Sequence, residues 1–100
     1  MIIEYDGSLF EWDEDKNQIN IKKHGVSFIE AASAFFDIYS VIIPDKEHSY
    51  GEERFMLIGR SRTNRILTVC HCERQNGEIT RIFSARKAEN TEKYLYEGGY

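Results

Sequence analysis

The dipeptide Asn76-Gly77 sits between two runs rich in β-branched and apolar residues, Arg65 to Arg74 and Glu78 to Arg86. Asn-Gly is the strongest short-range signal for a type I′ turn, whose two central residues both need positive φ. Strands joined by so tight a turn must lie side by side and antiparallel, so this pair commits the second half of the chain to a β-sheet. With a two-residue turn, Gln75 pairs with Glu78, Glu73 with Thr80, His71 with Ile82, Val69 with Ser84 and Leu67 with Arg86. Alternation then predicts two faces. One carries His71, Glu73, Thr80, Ser84 and Arg86 beside Leu67, Val69 and Ile82. The other carries Ile66, Thr68, Cys70, Cys72, Ile79, Arg81, Phe83 and Ala85. The second face is nearly apolar and is expected to pack on helices, with Arg81 among the residues so covered. The first is too polar for a core and reads as either a solvated face or a site.

The remainder of the chain supplies the partners of that sheet. Residues 2–5 read as a short strand, Asp6-Gly7-Ser8 as a turn and Leu9 to Trp12 as a second short strand. Asp13 has the character of a helix N-cap, with Glu14 and Asp15 in the first turn; Lys22, Lys23 and His24 before Gly25 mark the stop. Ser27 and Glu30 form the S-x-x-E capping box of a second helix carrying Ala31, Ala32, Ala34, Phe35 and Phe36. Tyr39 to Ile43 reads as a strand ending near Pro44, residues 45–53 as a polar loop, and Arg54 to Arg60 as another strand. A short helix from about Ala88 to Glu97, stopped by Gly98-Gly99, closes the chain. The order predicts one α+β domain over residues 1–100: an antiparallel sheet of four to six strands, two N-terminal helices on one face and a short C-terminal helix. No apolar run approaches the ~18 residues of a membrane-spanning helix, and no signal peptide is visible, so a cytoplasmic protein is expected.

Charge is divided unevenly. The net charge is −4, which does not by itself indicate nucleic-acid binding. Residues 1–53 hold twelve acidic residues and four lysines, whereas residues 54–87 hold seven arginines and Lys87 against Glu73 and Glu78. Such asymmetry points to an anionic ligand for the second half. Arg60, Arg62 and Arg65 flank the turn Ser61 to Asn64 and suit phosphate oxygens. Cys70 and Cys72 read as reduced thiols, and His71 between them points to the opposite face, so the three cannot share a metal ion. No Gly-rich phosphate loop, G-x-S-x-G elbow or H-E-x-x-H motif occurs.

Several blocks of the sequence resemble a known family. Phe10-Glu11-Trp12-Asp13-Glu14-Asp15-Lys16-Asn17, Lys23-His24-Gly25-Val26-Ser27-Phe28 followed by Glu30-Ala31-Ala32, the segments His48 to Phe55, Ile58-Gly59 and His71-Cys72-Glu73-Arg74, and Arg81 to Ala88 are similar, in order and spacing, to the BrnT toxins. The resemblance covers roughly residues 9–96. It implies a RelE-like α+β fold and a type II toxin that arrests growth by cutting RNA. It also implies neutralisation by a BrnA-type antitoxin, through which alone the complex would touch DNA, and neither a metal nor an organic cofactor. The implied chemistry is attack of a ribose 2′-OH on the adjacent phosphorus, which needs a base, a cation for the phosphorane and an acid for the leaving oxygen.

Among the residues at hand, Arg86 suits the cation, since a guanidinium matches phosphate oxygens in a fork and stays charged. His71 or Glu73 is expected to be the base, with His48 in reserve and Ser84, Glu53 and Arg54 orienting. RNA contacts are expected from His48, Glu53, Arg54, Arg60, Arg62, Arg65 and Lys87. Antitoxins of this class dimerise through their DNA-binding domains, so a complex of two toxins and two antitoxins is expected, with the antitoxin covering the face of His71, Ser84 and Arg86. Two other readings are open to the sequence: a binding module that holds RNA or a protein partner and cuts nothing, and a housekeeping partner that simply stabilises a DNA-binding protein.

Overall fold

The computed structural model describes residues 1–98. The central hairpin pairs β5 (Ile66–Arg74) with β6 (Ile79–Lys87) around Asn76 and Gly77, whose φ angles of 58° and 88° are both positive, as a type I′ turn requires. The expected register holds from Glu73↔Thr80 to His71↔Ile82 and then slips. Cys70 pairs with Ser84, Val69 with Ala85 and Thr68 with Arg86, leaving Phe83 as the extra residue of a β-bulge. That one residue moves Ser84, Ala85 and Arg86 to the faces opposite those expected. Ala85 joins Leu67, Val69, His71 and Ile82 on one side, while Ser84 and Arg86 join Thr68 and Cys70 on the other. Leu67, Val69, His71, Ile82 and Ala85 are all 3% exposed or less, so the face predicted to be polar is the one that packs on the helices. Arg81, expected to be covered there, lies on the opposite face and binds Glu11 at 3.0 Å.

β4 (Phe55–Arg60) and β3 (Val41–Pro44) extend the antiparallel meander beyond β5. Tyr39, expected in β3, stays outside it and exposed, because the Asp37 carboxylate accepts the Tyr39 N–H (2.9 Å) and holds the chain in a turn. On the other side the hairpin β1 (Ile2–Tyr5) and β2 (Ser8–Glu11) adds to the sheet with β2 parallel to β6. The six strands run β1-β2-β6-β5-β4-β3. Two helices, α1 (Glu14–His24) and α2 (Phe28–Ala34), cover one face, and α3 (Asn90–Tyr96) follows β6. Gly98 carries the positive φ (78°) of a helix stop, and Gly99 lies outside the described residues. No helix among them is long and apolar enough to cross a membrane.

The core consists of Phe10 and Trp12, the α2 side with Val26, Phe28, Ala31 and Ala32, and the sheet side with Leu67, Val69, Ile82 and Ala85. Small alanines let α2 lie close to the sheet. At Gly59 the approach is so close that an added Cβ would stand 2.8 Å from the Ala34 carbonyl. α1 is held differently: its buried residues are Asn17 and Asn20. Asn17 Oδ1 accepts the Phe28 N–H (2.9 Å). Asn20 Nδ2 donates to the carbonyls of Val26 and Ala85 (2.8 Å each), and its Oδ1 accepts the Ala85 N–H (3.2 Å). β2 accompanies β6 only as far as Arg81. Beyond that point the Asn20 amide stands in for a neighbouring strand, satisfying the outer N–H and C=O of Ala85.

Glu30 fastens α2 to the β4–β5 turn. Ser27 caps the helix by accepting the Glu30 N–H, but the Glu30 carboxylate does not complete the expected capping box. It binds Arg65 through Nε (2.9 Å) and Nη2, and accepts from Ser61 (2.7 Å) and Thr63 (2.5 Å). The Arg65 bonds, helped by the two hydroxyls, outweigh burial and hold the Glu30 carboxyl down at about 2.

Two measurements test these staples. Asn20→Ala leaves the Val26 and Ala85 groups without partners and should cost about 2–4 kcal/mol in urea unfolding, with the native fold retained. The depressed Glu30 carboxyl adds stability that is complete above its unfolded value near 4.5 and is lost as pH falls from there towards about 2. The urea midpoint of Glu30→Gln should therefore be lower at neutral pH and fall less across that window than the parent's.

Candidate active site

The bulge at Phe83 turns Ser84 and Arg86 towards the face that α1 and α2 leave free. There they meet the segment that follows β3. Asp45 closes the 45–54 loop by donating its N–H to the Arg54 carbonyl (2.8 Å). Ser49 donates its hydroxyl to the Asp45 carbonyl (2.7 Å) and accepts the Arg54 N–H (3.1 Å). Between them Lys46–His48 make a single 3₁₀ turn. Its three-residue spacing brings His48 Nδ1 to 3.0 and 3.1 Å from the two oxygens of Asp45. The Asp45 side chain is 7% exposed and the His48 side chain 60%. An ionised carboxylate only accepts, so a neutral His48 carries its proton on Nδ1 and presents Nε2 as a free acceptor.

Across from this pair, Arg86 is gripped by α3. Its Nη1 and Nη2 donate to the two oxygens of Glu92 at 2.7 and 2.8 Å. Glu92 also accepts the Thr68 hydroxyl (2.9 Å) and the Glu89 N–H (2.8 Å). Burial alone would raise its pKa; these bonds, led by Arg86, prevail and bring it to about 2. The same contact raises the Arg86 pKa further. A pocket of about 570 Å³ lies between the two sides, lined by Asp45, Lys46, His48, Cys70, Ser84 and Arg86 among others. Burial pushes the Cys70 thiol up, which keeps it protonated and a poor nucleophile.

Of the residues expected from sequence, His48, Ser84 and Arg86 come together in this pocket. His71 lies on the opposite face, 3% exposed, with ring centroids 4.8 Å from Phe35 and 6.0 Å from Phe55. Its Nδ1 is 3.2 Å from the Val69 carbonyl, and burial pushes its pKa down, so it stays neutral within the core. Glu73 is exposed beside the hairpin turn, and Glu53 is exposed in the loop before β4. Arg54 covers the Phe83 ring at 3.8 Å. Arg60 and Lys87 line a separate cavity of about 340 Å³ with Asn64, Arg65 and Lys93. Arg62 reaches Tyr5 (3.3 Å), and Arg65 is held by Glu30 and the Gly25 carbonyl (2.9 Å). Sequence reasoning missed Asp45, Lys46 and Glu92. The i, i+3 spacing of Asp45 and His48 beside Pro44 was the available signal for the first; the arginine–glutamate pairing across the β6–α3 junction had none so specific.

The profile of a family described as ribonuclease toxin, BrnT, of type II toxin–antitoxin systems matches residues 12–92. A crystal structure of the Brucella abortus ribonuclease toxin BrnT is similar at 32% identity and a TM-score of 0.63, over 81% of this chain and 96% of that one. No curated protein sequence matches. The matched span begins at Trp12, where β2 ends, and closes at Glu92, the carboxylate that grips Arg86. It contains every residue lining the pocket, and the chain belongs to the BrnT family of ribonuclease toxins of type II toxin–antitoxin systems.

Proposed function

We propose that this chain is a metal-independent endoribonuclease that cuts RNA in the pocket between the 3₁₀ turn and β6, by attack of a ribose 2′-OH on the neighbouring phosphorus. The observation that carries this reading is the Asp45–His48 pair facing Arg86 across one cavity. Asp45 fixes the His48 tautomer, and Nε2 takes the 2′-OH proton. Arg86, oriented by Glu92, stabilises the charge that develops on the phosphorane. Ser84 orients a phosphate oxygen, Lys46 adds a further cation to the pocket, and the 5′-oxygen takes up a proton from water as the P–O5′ bond breaks. Here His48 takes the role first given to His71 or Glu73, because a base must reach the same phosphate as Arg86. Side chains alone provide for base and charge stabilisation, so cleavage should persist in EDTA and leave 2′,3′-cyclic phosphate ends.

The antitoxin is proposed to be a BrnA-type DNA-binding protein in a complex of two toxins and two antitoxins. Its acidic side chains would occupy the pocket in place of phosphates, against Arg86 and Lys46. RNA and this partner would be met in the cytoplasm.

Arg86→Ala removes a transition-state contact and should lower the cleavage rate by roughly 10²–10³. His48→Ala should fall comparably, and imidazole in the buffer should restore part of its rate, which a purely structural loss would not allow. Purified protein that shifts RNA on a gel and leaves it intact, at any salt concentration, would identify a binding module instead. For the partner, association with antitoxin should slow as salt rises from ~50 to ~500 mM; a rate and affinity indifferent to salt would mean apolar docking elsewhere.

A further inference from the structure

Arg54 and Phe83 lie next to the pocket but belong to neither of its walls. Phe83 is the bulged residue of β6, adjacent to Ser84, and it is half-buried, outside the core cluster. The Arg54 guanidinium carbon stands over the Phe83 ring, 3.8 Å from its centre. Arg54 differs from Arg81 and Arg86 on this sheet face and resembles Arg74, whose carboxylate contacts are 3.4 and 3.6 Å. Arg86 and Arg81 each have a carboxylate oxygen at 3.0 Å or less. Among the described residues the carboxylate within 4 Å of Arg54 is that of Glu52, at 3.7 Å, a longer contact. Its Nε is buried without any acceptor, yet the side chain is 31% exposed. The guanidinium thus lies over the Phe83 ring beside a long ion pair to Glu52, with its Nε free of any acceptor. Planar guanidinium groups fixed in this way accept unstacked bases of single-stranded RNA on their open face.

We infer that the Arg54–Phe83 stack is a nucleobase subsite, which receives the base of a nucleotide flanking the scissile phosphate and so contributes to the choice of cleavage position. The inference rests on the ribonuclease reading above. Phe83 and Ser84 are consecutive, so a nucleotide whose phosphate meets Ser84 and Arg86 has its neighbour's base within reach of the stack. The bulge serves both ends of that contact, since it turns Ser84 into the pocket and leaves Phe83 beside it. Phe83 supports the Arg54 plane, and Arg54 is the group that touches the base.

The test uses the whole chain and short single-stranded RNAs, 2′-O-methylated to block cleavage, with the fluorescent base 2-aminopurine moved through each position in turn. Stacking quenches 2-aminopurine, so quenching should be strongest at one position in complex with the parent protein. Arg54→Ala should abolish that position-specific quenching and weaken binding about tenfold. Arg54→Lys, which keeps the charge and loses the plane, should lose the quenching while retaining most of the affinity. Phe83→Leu should reduce quenching by freeing Arg54. On unmodified RNA, Arg54→Lys should flatten the base preference beside the cut site. Undiminished quenching in Arg54→Ala overturns the inference, as does a parent that cleaves RNA but quenches at no position; both outcomes leave the ribonuclease reading standing. A parent that neither binds nor cleaves RNA overturns the two together.

Discussion

The site depends on one residue too many. Between His71↔Ile82 and Cys70↔Ser84, β6 spends Phe83 without a partner on β5. Without that bulge Ser84 and Arg86 would share a face with Leu67 and Val69, and one of two things would fail. Either a guanidinium would enter the core, at several kcal/mol of desolvation, or the helices would lose the apolar surface that holds them. The bulge resolves the conflict by moving the two halves of β6 out of phase. Ile82 and Ala85 both face the helices, and Arg81, Ser84 and Arg86 all face away. Bulges concentrate beside active sites because they re-aim a side chain without unpairing the sheet, and this one re-aims two.

A bulged strand with a free outer edge needs to be held, and the protein uses buried amides and carboxylates for this. Asn20 fills the edge of β6 at Ala85, between the two residues that face the pocket. Glu30 ties α2 to the turn between β4 and β5, and Glu92 ties α3 to Thr68 and Arg86. A chain of this length has a modest core, so each of these bonds carries a larger share of stability than it would in a larger protein. It also means that α1, whose buried residues are asparagines, is attached by bonds that demand one geometry. Apolar contacts alone would permit the helix to slide.

The elements were legible in the sequence because local chemistry sets them: Asp13 and Ser27 cap their helices, Gly25 ends one, and Asn76-Gly77 turns the hairpin. The two-stranded register near the turn was legible for the same reason. What was not legible is non-local. No local signal marks Phe83 as unpaired, since the choice between regular pairing and a bulge is made by the helices that must be covered. The parallel pairing of β2 with β6 likewise depends on the whole sheet. The charge asymmetry had a second meaning that only the fold discloses. Arg54, Arg65, Arg74, Arg81 and Arg86 each have a carboxylate of this chain within 4 Å, and for all but Arg86 it comes from the acidic first half. Much of the segregation is therefore the protein pairing its two halves, and the surplus available to a ligand is smaller than the arginine count implies. His71 misled for a related reason: a histidine in a run of alternating residues is equally consistent with a site and with a ring packed between Phe35 and Phe55.

The pairing of Arg86 with Glu92 raises the question of how an arginine already neutralised could serve a phosphate. The geometry answers it. Glu92 engages one N–H on each of Nη1 and Nη2, and a guanidinium has donors left on its other edges. A carboxylate that also accepts from Thr68 and from the Glu89 backbone is too well held to follow Arg86 elsewhere. In the proposed mechanism its effect is to fix the plane and direction of the remaining donors before RNA arrives, so that less ordering is left to be done in the transition state. The cost is a weaker net field in the ground state, which reduces attraction for any passing anion. An arrangement of this kind favours a phosphate that gathers charge during reaction over one that merely binds. It suits a ribonuclease toxin whose total charge is −4.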